Sequence, residues 1–309
     1  MPDFDVCVVG EINLDLILYG LPKVLELDRE LLASGLAVTL GSSSAIFAHN
    51  LAMLGSKVGF VGKIGGDALG KMALERLAAA GVDVSRVKRA TERITGLTVI
   101  LPYLRQRHIL TFPGTMFELE YSDIDMGCVR AARHLHVSSF FLHRALRKRI
   151  VDLFRQAKDA GLTTSLDTND DPENKWDRDL LEVLKHVDIF LPNDREAKKI
   201  ARTEDLSQAI NLLAGLAKVV VVKRGSAAAI CRSGQQQYSL MPPSVKPVDD
   251  VGAGDSFDAG FIHKFTAGAK LEDCLAFANL AGAYSTTKEG GTEAFRDRIA
   301  FTNFVRQHG

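Results

Sequence analysis

The sequence predicts an α/β fold built on a mostly parallel central sheet. Short apolar runs rich in β-branched residues alternate with alanine-rich or amphipathic segments along most of the 309 residues. Gly, Asp or Pro bounds these runs, which is typical of strands buried on both faces of a sheet. Two stretches, 12–40 and 94–113, instead repeat strand-like patterns with no helix between them. We therefore expect a single α/β domain over 1–309, in which 12–40 and 94–113 form a small inserted β layer.

The elements of this fold can be taken in chain order. Strands of the central sheet are predicted at 5–9 (DVCVV), 57–61 (KVGFV), 134–138 (HLHVS), 163–167 (TTSLD), 188–191 (DIFL) and 219–223 (VVVVK). Alanine-rich sequence, or apolar residues at spacings of three and four, predicts helices at 44–54, 70–80 and 146–160. The first two helices stop before Gly55 and Gly81, because glycine favours the position just after a helix. In the β layer, strands are predicted at 14–19, 36–40, 97–101 and 107–112.

The composition excludes several classes of protein. Lysine plus arginine and aspartate plus glutamate both number 38, so the formal net charge is zero and no basic excess exists to neutralise nucleic-acid phosphates. Hydrophobic residues make up 46% of the chain, which is enough to build a core rather than a disordered segment. The four cysteines form no C-x-x-C pair, so neither a zinc site nor a dithiol site is indicated.

The chain shows no targeting or membrane signal. The first residues, MPDFDVCVVG, lack a basic segment followed by a long apolar stretch. No apolar run approaches the ~20 residues that cross a bilayer. We expect a cytoplasmic protein with neither a membrane nor a nucleic acid as its partner.

The segment 248–265, VDDVGAGDSFDAGFIHKF, holds the motif with the most chemistry. Its small residues Gly252, Ala253 and Gly254 come just before a predicted helix with aromatic residues on one face. Small residues at a helix start leave backbone N–H groups accessible, and these donors suit a phosphate together with the positive end of the helix dipole. Asp255 follows them, where a carboxylate can accept a proton from an attacking hydroxyl. On these residues alone, the alternative that Asp255 caps the helix and the glycines turn the chain stays open.

Four segments carry a family resemblance, and they occur in the family's order at 41–55, 62–87, 192–196 and 249–255. The last, DDVGAGD, is similar to the signature D-T-x-G-A-G-D, and PNDRE at 192–196 contains N-x-x-E. The first is a glycine-led segment, and the second contains G-x-D-x-x-G. On these motifs the chain resembles the pfkB (ribokinase-like) carbohydrate kinase family over essentially its whole length.

The resemblance implies an enzyme that transfers the γ-phosphoryl group of ATP to a hydroxyl, in particular a primary hydroxyl, of a small sugar or sugar acid. It implies a ribokinase-like three-layer sandwich in which 12–40 and 94–113 form a β-sheet lid. A lid keeps water away from the γ-phosphate, which would otherwise be hydrolysed. Lids of this type often pair between subunits, so a homodimer through the lid is a further expectation. The implied cofactors are ATP and Mg²⁺, with K⁺ as a monovalent cation.

The resemblance also implies roles for the residues that match its motifs around the phosphates. Asp255 is the general base, and the amides of 252–255, which belong to Gly252, Ala253, Gly254 and Asp255, form the anion hole. Asn193 and Glu196 hold Mg²⁺ through water, since this ion prefers oxygen ligands and usually keeps waters.

The nucleotide is expected on the other side of the phosphates. The resemblance assigns Lys223, Gly225 and Asn279 to the wall that binds ATP, of which Lys223 and Gly225 follow a predicted strand at its carboxyl end. It assigns Asp249, with the loop at 289–291, to the region that holds a monovalent cation.

The substrate pocket is expected after the first strand. In the segment GEINLDLI, Asn13 and Asp15 are implied to bind substrate hydroxyls. The residue types suit this role, because an aspartate accepts from hydroxyls and an asparagine both donates and accepts. Gly41, Ser42 and Ile46 are implied to line the same pocket.

Three positions depart from the family pattern. Ser42 stands where the first signature usually has a second glycine, and Ile46 stands where many sugar kinases have an asparagine. Asp250 replaces the usual threonine of the last signature. These departures put any particular sugar in doubt and leave a catalytically weak sugar-binding or regulatory protein as one alternative.

A second alternative is a nucleoside kinase of the same family. Such an enzyme needs an apolar or aromatic pocket for the base, and the residues considered for it are Ile46, Phe112, Phe140 and Phe141. A further acidic segment, 167–171 (DTNDD), ends a predicted strand and is open to two interpretations. It either contributes to the site or forms a solvated turn.

Overall fold

A computed structural model of the chain describes residues 2–22, 24–103 and 106–309. Residues 104 and 105, which belong to the predicted β layer at 94–113, lie outside this description. The strands in the described ranges are β1 (Phe4–Val9), β2 (Asn13–Tyr19), β3 (Gly35–Gly41), β4 (Val58–Val61), β5 (Lys63–Gly65), β6 (Lys88–Ala90), β7 (Gly96–Tyr103), β8 (Gln106–Phe112), β9 (Ala132–Val137), β10 (Thr163–Leu166), β11 (Ile189–Phe190), β12 (Val219–Val222), β13 (Ala229–Ser233) and β14 (Gln236–Leu240). The α-helices are α1 (Ser43–Met53), α2 (Ala68–Ala79), α3 (Met126–Arg130), α4 (Ile150–Asp159), α5 (Asp179–Leu184), α6 (Asp194–Ala201), α7 (Leu206–Ala214), α8 (Ala253–Thr266), α9 (Leu271–Ser285) and α10 (Arg298–His308).

The main sheet has eight strands in the order β14-β13-β12-β11-β10-β9-β1-β4. The six strands from β12 to β4 are parallel, and they correspond to the six strands that the sequence predicts for the central sheet. β13 and β14 extend the sheet in antiparallel fashion and were not predicted. The predicted α/β class with a mostly parallel sheet is therefore confirmed.

Helices cover both faces of this sheet. In β1, Val6 and Val8 face a core cluster that includes α1, α2, α8 and α9, whereas Cys7 and Val9 face a second cluster that includes α4 to α7. Successive residues of a strand point to opposite faces, so a strand buried on both sides must be apolar throughout. The result is three layers, helix–sheet–helix, with the sheet in the middle.

A separate sheet of four strands has the order β3-β2-β7-β8. It is formed by the strands predicted in the two segments that break the helix–strand alternation. Asp15 of β2 lies opposite Thr98 of β7, and Thr98 lies opposite Thr111 of β8, so these three polar residues share one face. A further small pair, β5 with β6, is parallel.

One predicted helix begins later than expected. The prediction was 146–160, but α4 begins at Ile150, and Arg147–Arg149 form a 3₁₀ turn before it. Three basic residues at a helix N-terminus oppose the positive end of the helix dipole, which accounts for the shift. Arg147 instead forms ion pairs with Asp177 and Asp179.

Two further observations bear on the expectations from composition. All four cysteines are buried and free. None of the helices in the described ranges has both the length and the apolar character that a membrane crossing requires.

Helix α8 is fixed in place by close packing against α9. Gly260 lies in the contact, and a Cβ atom built on it would come within 2.8 Å of the Ala281 Cβ. Backbones that approach this closely resist relative movement, because cores are close-packed and tolerate added volume poorly. The start of α8 is thereby held beside the carboxyl ends of the parallel strands.

Candidate active site

A cavity of about 960 Å³ lies between the carboxyl ends of the parallel strands and the polar face of the four-stranded sheet. Most of the predicted site residues line it, namely Asn13, Asp15, Ser42, Ile46, Asn193, Glu196, Lys223, Gly225, Gly252, Ala253, Gly254 and Asp255. Gly41, Asp249 and Asn279 are not among its lining residues. The topology thus gathers residues that are widely separated in sequence at a single site.

The glycine-rich loop delivers the start of α8 to this cavity. Gly252, the N-cap residue, has φ of 72°, a left-handed conformation that favours glycine. A Cβ atom on Gly252 would also come within 2.6 Å of the Gly291 Cα, so a larger residue has no room. Amides in a first helical turn have no acceptor within the helix. Ala253 makes one long bond, 3.3 Å, to the Asp250 carbonyl, and the turn presents the positive end of the dipole to the cavity.

Asp255 is half-buried in this first turn. Removal from water and the nearby charge of Asp167 raise its pKa to about 7, against the opposing effects of Lys223 and Ser43. A carboxyl group with such a pKa is ionised in a large fraction of molecules at neutral pH and is still a useful base. Strongly shifted pKa values are typical of functional sites.

Asn13 and Asp15 form the opposite part of the site, on β2. The Asn13 side-chain nitrogen donates to Thr98 Oγ1 at 2.8 Å, whereas its buried Oδ1 has no hydrogen-bond partner among the described residues. Burial and the charge of Asp255 raise the pKa of Asp15 to about 7. A Cβ atom on Gly41 would come within 2.1 Å of Asp15 Oδ1 and 2.4 Å of Asn13 Oδ1. Gly41 therefore leaves the space that both side chains occupy.

Ser42 and Ile46 are placed by helix α1. Ser42 is the N-cap residue, and its hydroxyl donates to the Glu11 carbonyl at 2.8 Å. Its φ of 61° is the left-handed conformation that glycine adopts most readily, which explains why the family pattern has glycine there. Ile46 packs beside the loop at 289–291, since a Cβ on Gly291 would lie 2.6 Å from the Ile46 Cδ1.

Glu11 also lines the cavity, and the sequence analysis did not identify it. Ser44 donates to its carboxylate from the hydroxyl at 2.6 Å and from the backbone at 3.2 Å, and His143 Nε2 lies 3.4 Å away. Burial favours the neutral form of Glu11, but the contacts with His143 and Ser44 outweigh this effect and lower its pKa. Glu11 could have been identified from its position two residues before Asn13, whereas His143, which faces it, comes from a distant segment.

Asn193 and Glu196 form a reciprocal cap at the start of α6. The Asn193 amide nitrogens of backbone and side chain donate to the Glu196 carboxylate at 2.8 and 2.5 Å, and the Glu196 backbone donates to Asn193 Oδ1 at 2.9 Å. Glu196 is only 4% exposed, and burial together with the charge of Asp167 raises its pKa to about 7. The turn is thus a buried cap rather than a solvated helix start.

The oxygen atoms of Asn193 and Glu196 fit the donor type that Mg²⁺ prefers. In the described ranges, no group of three or more His, Cys, Asp or Glu side chains is arranged to hold a metal ion. Mg²⁺ usually keeps several waters and needs few protein ligands. The assignment of these residues to Mg²⁺ stays a prediction.

Lys223 lies at the carboxyl end of β12, with its ammonium at the cavity wall. Its Nζ lies 2.8 Å from Asp258 Oδ2 and 3.0 Å from Asp167 Oδ2. Burial disfavours the ammonium form, but the charges of Asp167, Asp258 and Glu196 outweigh this cost and raise the pKa of Lys223. The sequence analysis missed Asp258, although it lies three residues after Asp255 and therefore on the same face of α8.

Gly225 and Asn279 were both predicted to contact the nucleotide. Gly225 lines the cavity in the turn after β12, with φ of 57°. Asn279 lies on α9 and does not line the cavity, and its side-chain amide donates to the Leu240 carbonyl at 2.9 Å. Its role toward a nucleotide stays a prediction.

Asp249 joins three parts of the structure. Its carboxylate accepts hydrogen bonds from the Tyr19 hydroxyl at 3.1 Å, the Val251 amide at 3.0 Å and the Gly290 amide at 2.9 Å. The residue therefore links β2 to the glycine-rich loop and to the loop at 289–291. The expectation of a monovalent cation beside it stays a prediction.

The departure at Asp250 has a structural partner. Its carboxylate forms an ion pair with Arg107 of β8, which a threonine could not form. The Asp250 side chain is 75% exposed, so the pair is worth at most about 1 kcal/mol. The contact ties the edge of the four-stranded sheet to the loop that precedes the first turn of α8.

The acidic segment at 167–171 divides between two roles. Asp167 contributes to the site through Lys223, and Asn169 donates to the Ser43 hydroxyl at 2.8 Å. Asp171 instead accepts three backbone amides of the following turn. Neither interpretation of the segment describes all of it.

The residues considered for an apolar pocket are mostly elsewhere. Phe140 and Phe141 are buried in the core cluster beneath the helices, and Phe112 is 55% exposed on the outer face of β8, so only Ile46 lines the cavity. The aromatic residues follow strand ends and alternation patterns that do not reveal which side they face. The larger apolar side chains of the wall are instead Ile46, Ile100, Ile109, Met116, Phe117, Leu142 and Val251.

Comparison with known proteins identifies relatives of this arrangement. The sequence model of the pfkB family of carbohydrate kinases matches residues 3–298. An ATP-dependent ribose-1-phosphate kinase from Halopiger xanaduensis is 30% identical over 94% of this chain and 94% of its own length. A cytidine kinase from Thermococcus kodakarensis is 27% identical over 88% of this chain and 92% of its own length.

A solved structure has the same fold. A putative ribokinase II from E. coli, determined in complex with ATP and Mg²⁺, superimposes with a TM-score of 0.87. The alignment covers 99% of this chain and 100% of the other, at 24% identity. The ribokinase-like sandwich expected from the sequence is thereby confirmed.

The space that Gly41 leaves for Asn13 and Asp15 can be tested by Gly41→Ala. The added Cβ would overlap both side chains, so we expect the free energy of unfolding in urea to fall by about 1–3 kcal/mol. Gly35→Ala on the same strand is the matched control, because its Cβ would meet Tyr19 Cβ only at 3.3 Å. Equal effects of the two substitutions would contradict this account of Gly41.

Proposed function

The chain belongs to the pfkB family of carbohydrate kinases, and from that premise we propose that it phosphorylates a primary hydroxyl of a small sugar or sugar acid with ATP. The observation that carries the proposal is the position of Asp255. This carboxylate lies in the first turn of α8 and faces the same cavity as Asn13 and Asp15. One wall can therefore bind a polyol while the other receives a phosphate.

Asp255 acts in this proposal as the general base. A bond forms between the substrate oxygen and the γ-phosphorus while the bond to the bridging oxygen breaks, with its electron pair leaving on ADP. The hydroxyl proton passes to the Asp255 carboxylate. A positioned base of this kind contributes ~10²–10⁴ in rate.

The amides of 252–255 stabilise the negative charge that develops on the transferred group. Preorganised backbone donors in a poorly hydrated site are effective because they need no reorganisation when the charge appears. Support comes from the left-handed Gly252 and from its contact with Gly291, which together fix the direction of the first turn. Mg²⁺, when bound, neutralises charge on the β- and γ-phosphate oxygens, and Asn193 and Glu196 are the residues proposed to hold it.

The four-stranded sheet acts as the lid of a single kinase domain in this proposal. Its polar face, with Asp15, Thr98 and Thr111 in register, lies over the carboxyl ends of the parallel strands. A cover of this kind excludes water from the γ-phosphoryl group during transfer. Arg107 and Tyr19 support the assignment, since each contacts the loop that leads to α8.

A small polyol is favoured by the polar groups at the lid end of the cavity. Two substrate hydroxyls can donate to the unpartnered Asn13 Oδ1 and to the Asp15 carboxylate. On the same face of the sheet, the hydroxyl oxygens of Thr98 and Thr111 lie 3.1 Å from each other. The Asn13 oxygen is buried, so a donor from the substrate would remove the cost of leaving it unpaired.

A nucleoside is the second candidate, and the apolar wall favours it. Large apolar side chains, among them Ile100, Ile109 and Phe117, line the cavity and offer more apolar surface than a pentose alone can cover. A base stacked there would bury apolar area that is otherwise wet. The cytidine kinase from Thermococcus kodakarensis shows that nucleosides are acceptors among the relatives.

Asp255→Asn tests the catalytic assignment. We expect turnover to fall by at least ~10²-fold while ATP and substrate still bind, because the amide keeps the shape and cannot accept the proton. In the wild-type enzyme, kcat/KM should rise with pH around 7, where the raised pKa of Asp255 places its ionisation. Asp273→Asn, in the exposed first turn of α9, is the matched control. Wild-type turnover in Asp255→Asn would refute the role of base.

Substrate identity is tested by ADP release with MgATP across ribose, fructose, 2-keto-3-deoxygluconate, ribose 1-phosphate, cytidine and adenosine. We expect the highest kcat/KM with a sugar or sugar acid. A higher value with cytidine or adenosine would establish the nucleoside alternative.

The same assay with K⁺ replaced by tetramethylammonium tests the cation site proposed beside Asp249. Loss of activity is the expected result.

A homodimer through the lid is also proposed, and the outer face of the four-stranded sheet supports it. Leu36 and Leu110 are 64% and 60% exposed there, with Phe112 beside Leu110 on the same strand face. Large exposed apolar side chains on one face of a sheet are typical of an interaction site.

The dimer is tested by sedimentation velocity at micromolar concentration. Leu110→Glu should convert a dimer to a monomer, because a charge would be buried at the interface. Ile299→Glu, at an exposed apolar residue of α10, is the control and should leave the dimer intact. A wild-type protein that sediments as a monomer at all concentrations would rule the dimer out.

A further inference from the structure

The ammonium group of Lys223 is buried under the start of α8, where it contacts two carboxylates. Lys223 Nζ contacts Asp258 at 2.8 Å and Asp167 at 3.0 Å, and the side chains of all three residues are at most 11% exposed. A buried ion pair is poor evidence for stability, because the cost of removing charges from water offsets most of the attraction. The cluster therefore calls for a role other than holding the fold together.

The ammonium has one more donor than these two contacts use. An ammonium carries three N–H donors, of which two serve Asp258 and Asp167. On another side lies Gly254, since a Cβ built on it would be 3.6 Å from Lys223 Nζ. Lys223 lines the same cavity as Gly254. The cation is thus next to the first-turn amides that face the cavity.

The backbone of Lys223 places it beside the other phosphate-facing element. Lys223 accepts from the Asp194 amide at 3.0 Å and donates to the Pro192 carbonyl at 2.9 Å, which joins β12 to the start of α6. Its side chain then crosses from α6 to α8. The ammonium consequently lies between Asn193 with Glu196 on one side and the glycine-rich loop on the other.

We propose that Lys223 is a catalytic residue whose third N–H contacts the transferred phosphoryl group, and that Asp258 is the positioning residue that holds its ammonium there. The proposal rests on the proposed kinase function and moves Lys223 from the nucleotide wall to the reacting centre. Lys223 donates a hydrogen bond and keeps all its protons, because the substrate proton goes to Asp255.

The physical reason lies in the charge of the reacting group. In phosphoryl transfer the charge is spread over three equatorial oxygens, so donors are needed on more than one side. The amides of 252–255 supply one side, and a fixed ammonium supplies another. Its raised pKa keeps Lys223 charged throughout the neutral range. Asp258 Oδ2 lies 2.8 Å from the ammonium, and its Oδ1 has no hydrogen-bond partner among the described residues, which places Asp258 to orient the ammonium.

The test compares Lys223→Met with Asp258→Asn in the full-length enzyme. We expect kcat to fall by ~10² or more in Lys223→Met, with KM for ATP changed by less than about threefold. Asp258→Asn should lower kcat by a smaller factor. Lys218→Met is the matched control, because Lys218 lies just before β12 and is 72% exposed.

A second readout separates a contact from a structural role. Replacing ATP by ATPγS weakens any hydrogen bond to the γ-phosphoryl oxygens, so the wild-type enzyme should prefer ATP, and Lys223→Met should lose much of that preference. A merely structural lysine would slow both nucleotides equally. Because Lys223→Met leaves two buried carboxylates unpaired, the double variant Lys223→Met/Asp258→Asn serves where the single one does not fold.

The outcomes distinguish this inference from the proposed function. Turnover of Lys223→Met within about threefold of wild type, or an unchanged preference for ATP over ATPγS, would overturn the role of Lys223 while the kinase assignment stands. If the wild-type enzyme released no ADP with any of the tested acceptors, both the kinase proposal and the role of Lys223 would be overturned.

Discussion

The carboxylates that line the cavity repel one another, and much of the site is arranged around that repulsion. Asp15, Asp167, Glu196 and Asp255 all line the same cavity, where removal of the carboxylates from bulk water makes like charges costly. The structure responds in two ways. Burial, together with the neighbouring carboxylates, raises the pKa values of Asp15, Glu196 and Asp255 to about 7, so each group is protonated in a large fraction of molecules at neutral pH, and Lys223 supplies one fixed positive charge. In the proposed function, a magnesium ion near Asn193 and Glu196 would add positive charge close to these carboxylates.

The fold could be predicted largely because its parallel strands are buried on both faces. β1 and β12 are short continuous apolar runs, and such runs have few other interpretations. The edge hairpin of β13 and β14 was missed, because its sequences AICRS and QQYSL mix polar and apolar residues without a clear period. The start of α4 was misplaced, because apolar spacing alone ignores the unfavourable charges at 147–149.

Candidate site residues could be predicted where they lie close together in the sequence. Asp255 follows its glycines directly, and Asn13 and Asp15 lie two residues apart on one strand, so their side chains share a face. Contacts between distant segments gave no such signal. His143 faces Glu11, and Arg107 pairs with Asp250, only because the topology brings loops from different strands to one edge. Burial could not be predicted either. Phe140 and Phe141 are aromatic, as a pocket for a nucleoside base requires, but they are buried in the core.

Strand β2 connects the wall of the cavity that holds Asn13 and Asp15 to the loop that precedes α8. Asn13 and Asp15 near its start lie at the substrate end of the cavity, and Tyr19 at its end donates to Asp249, just before the glycine-rich loop. Arg107 of β8 makes a second connection to the same loop through Asp250. A shift of the four-stranded sheet would therefore move Asn13 and Asp15 and also pull on the loop that precedes α8. If the proposed roles hold, the same strands cover the cavity and set the distance between the acceptor hydroxyl and the phosphate donor, so closing the site would also align its reactants.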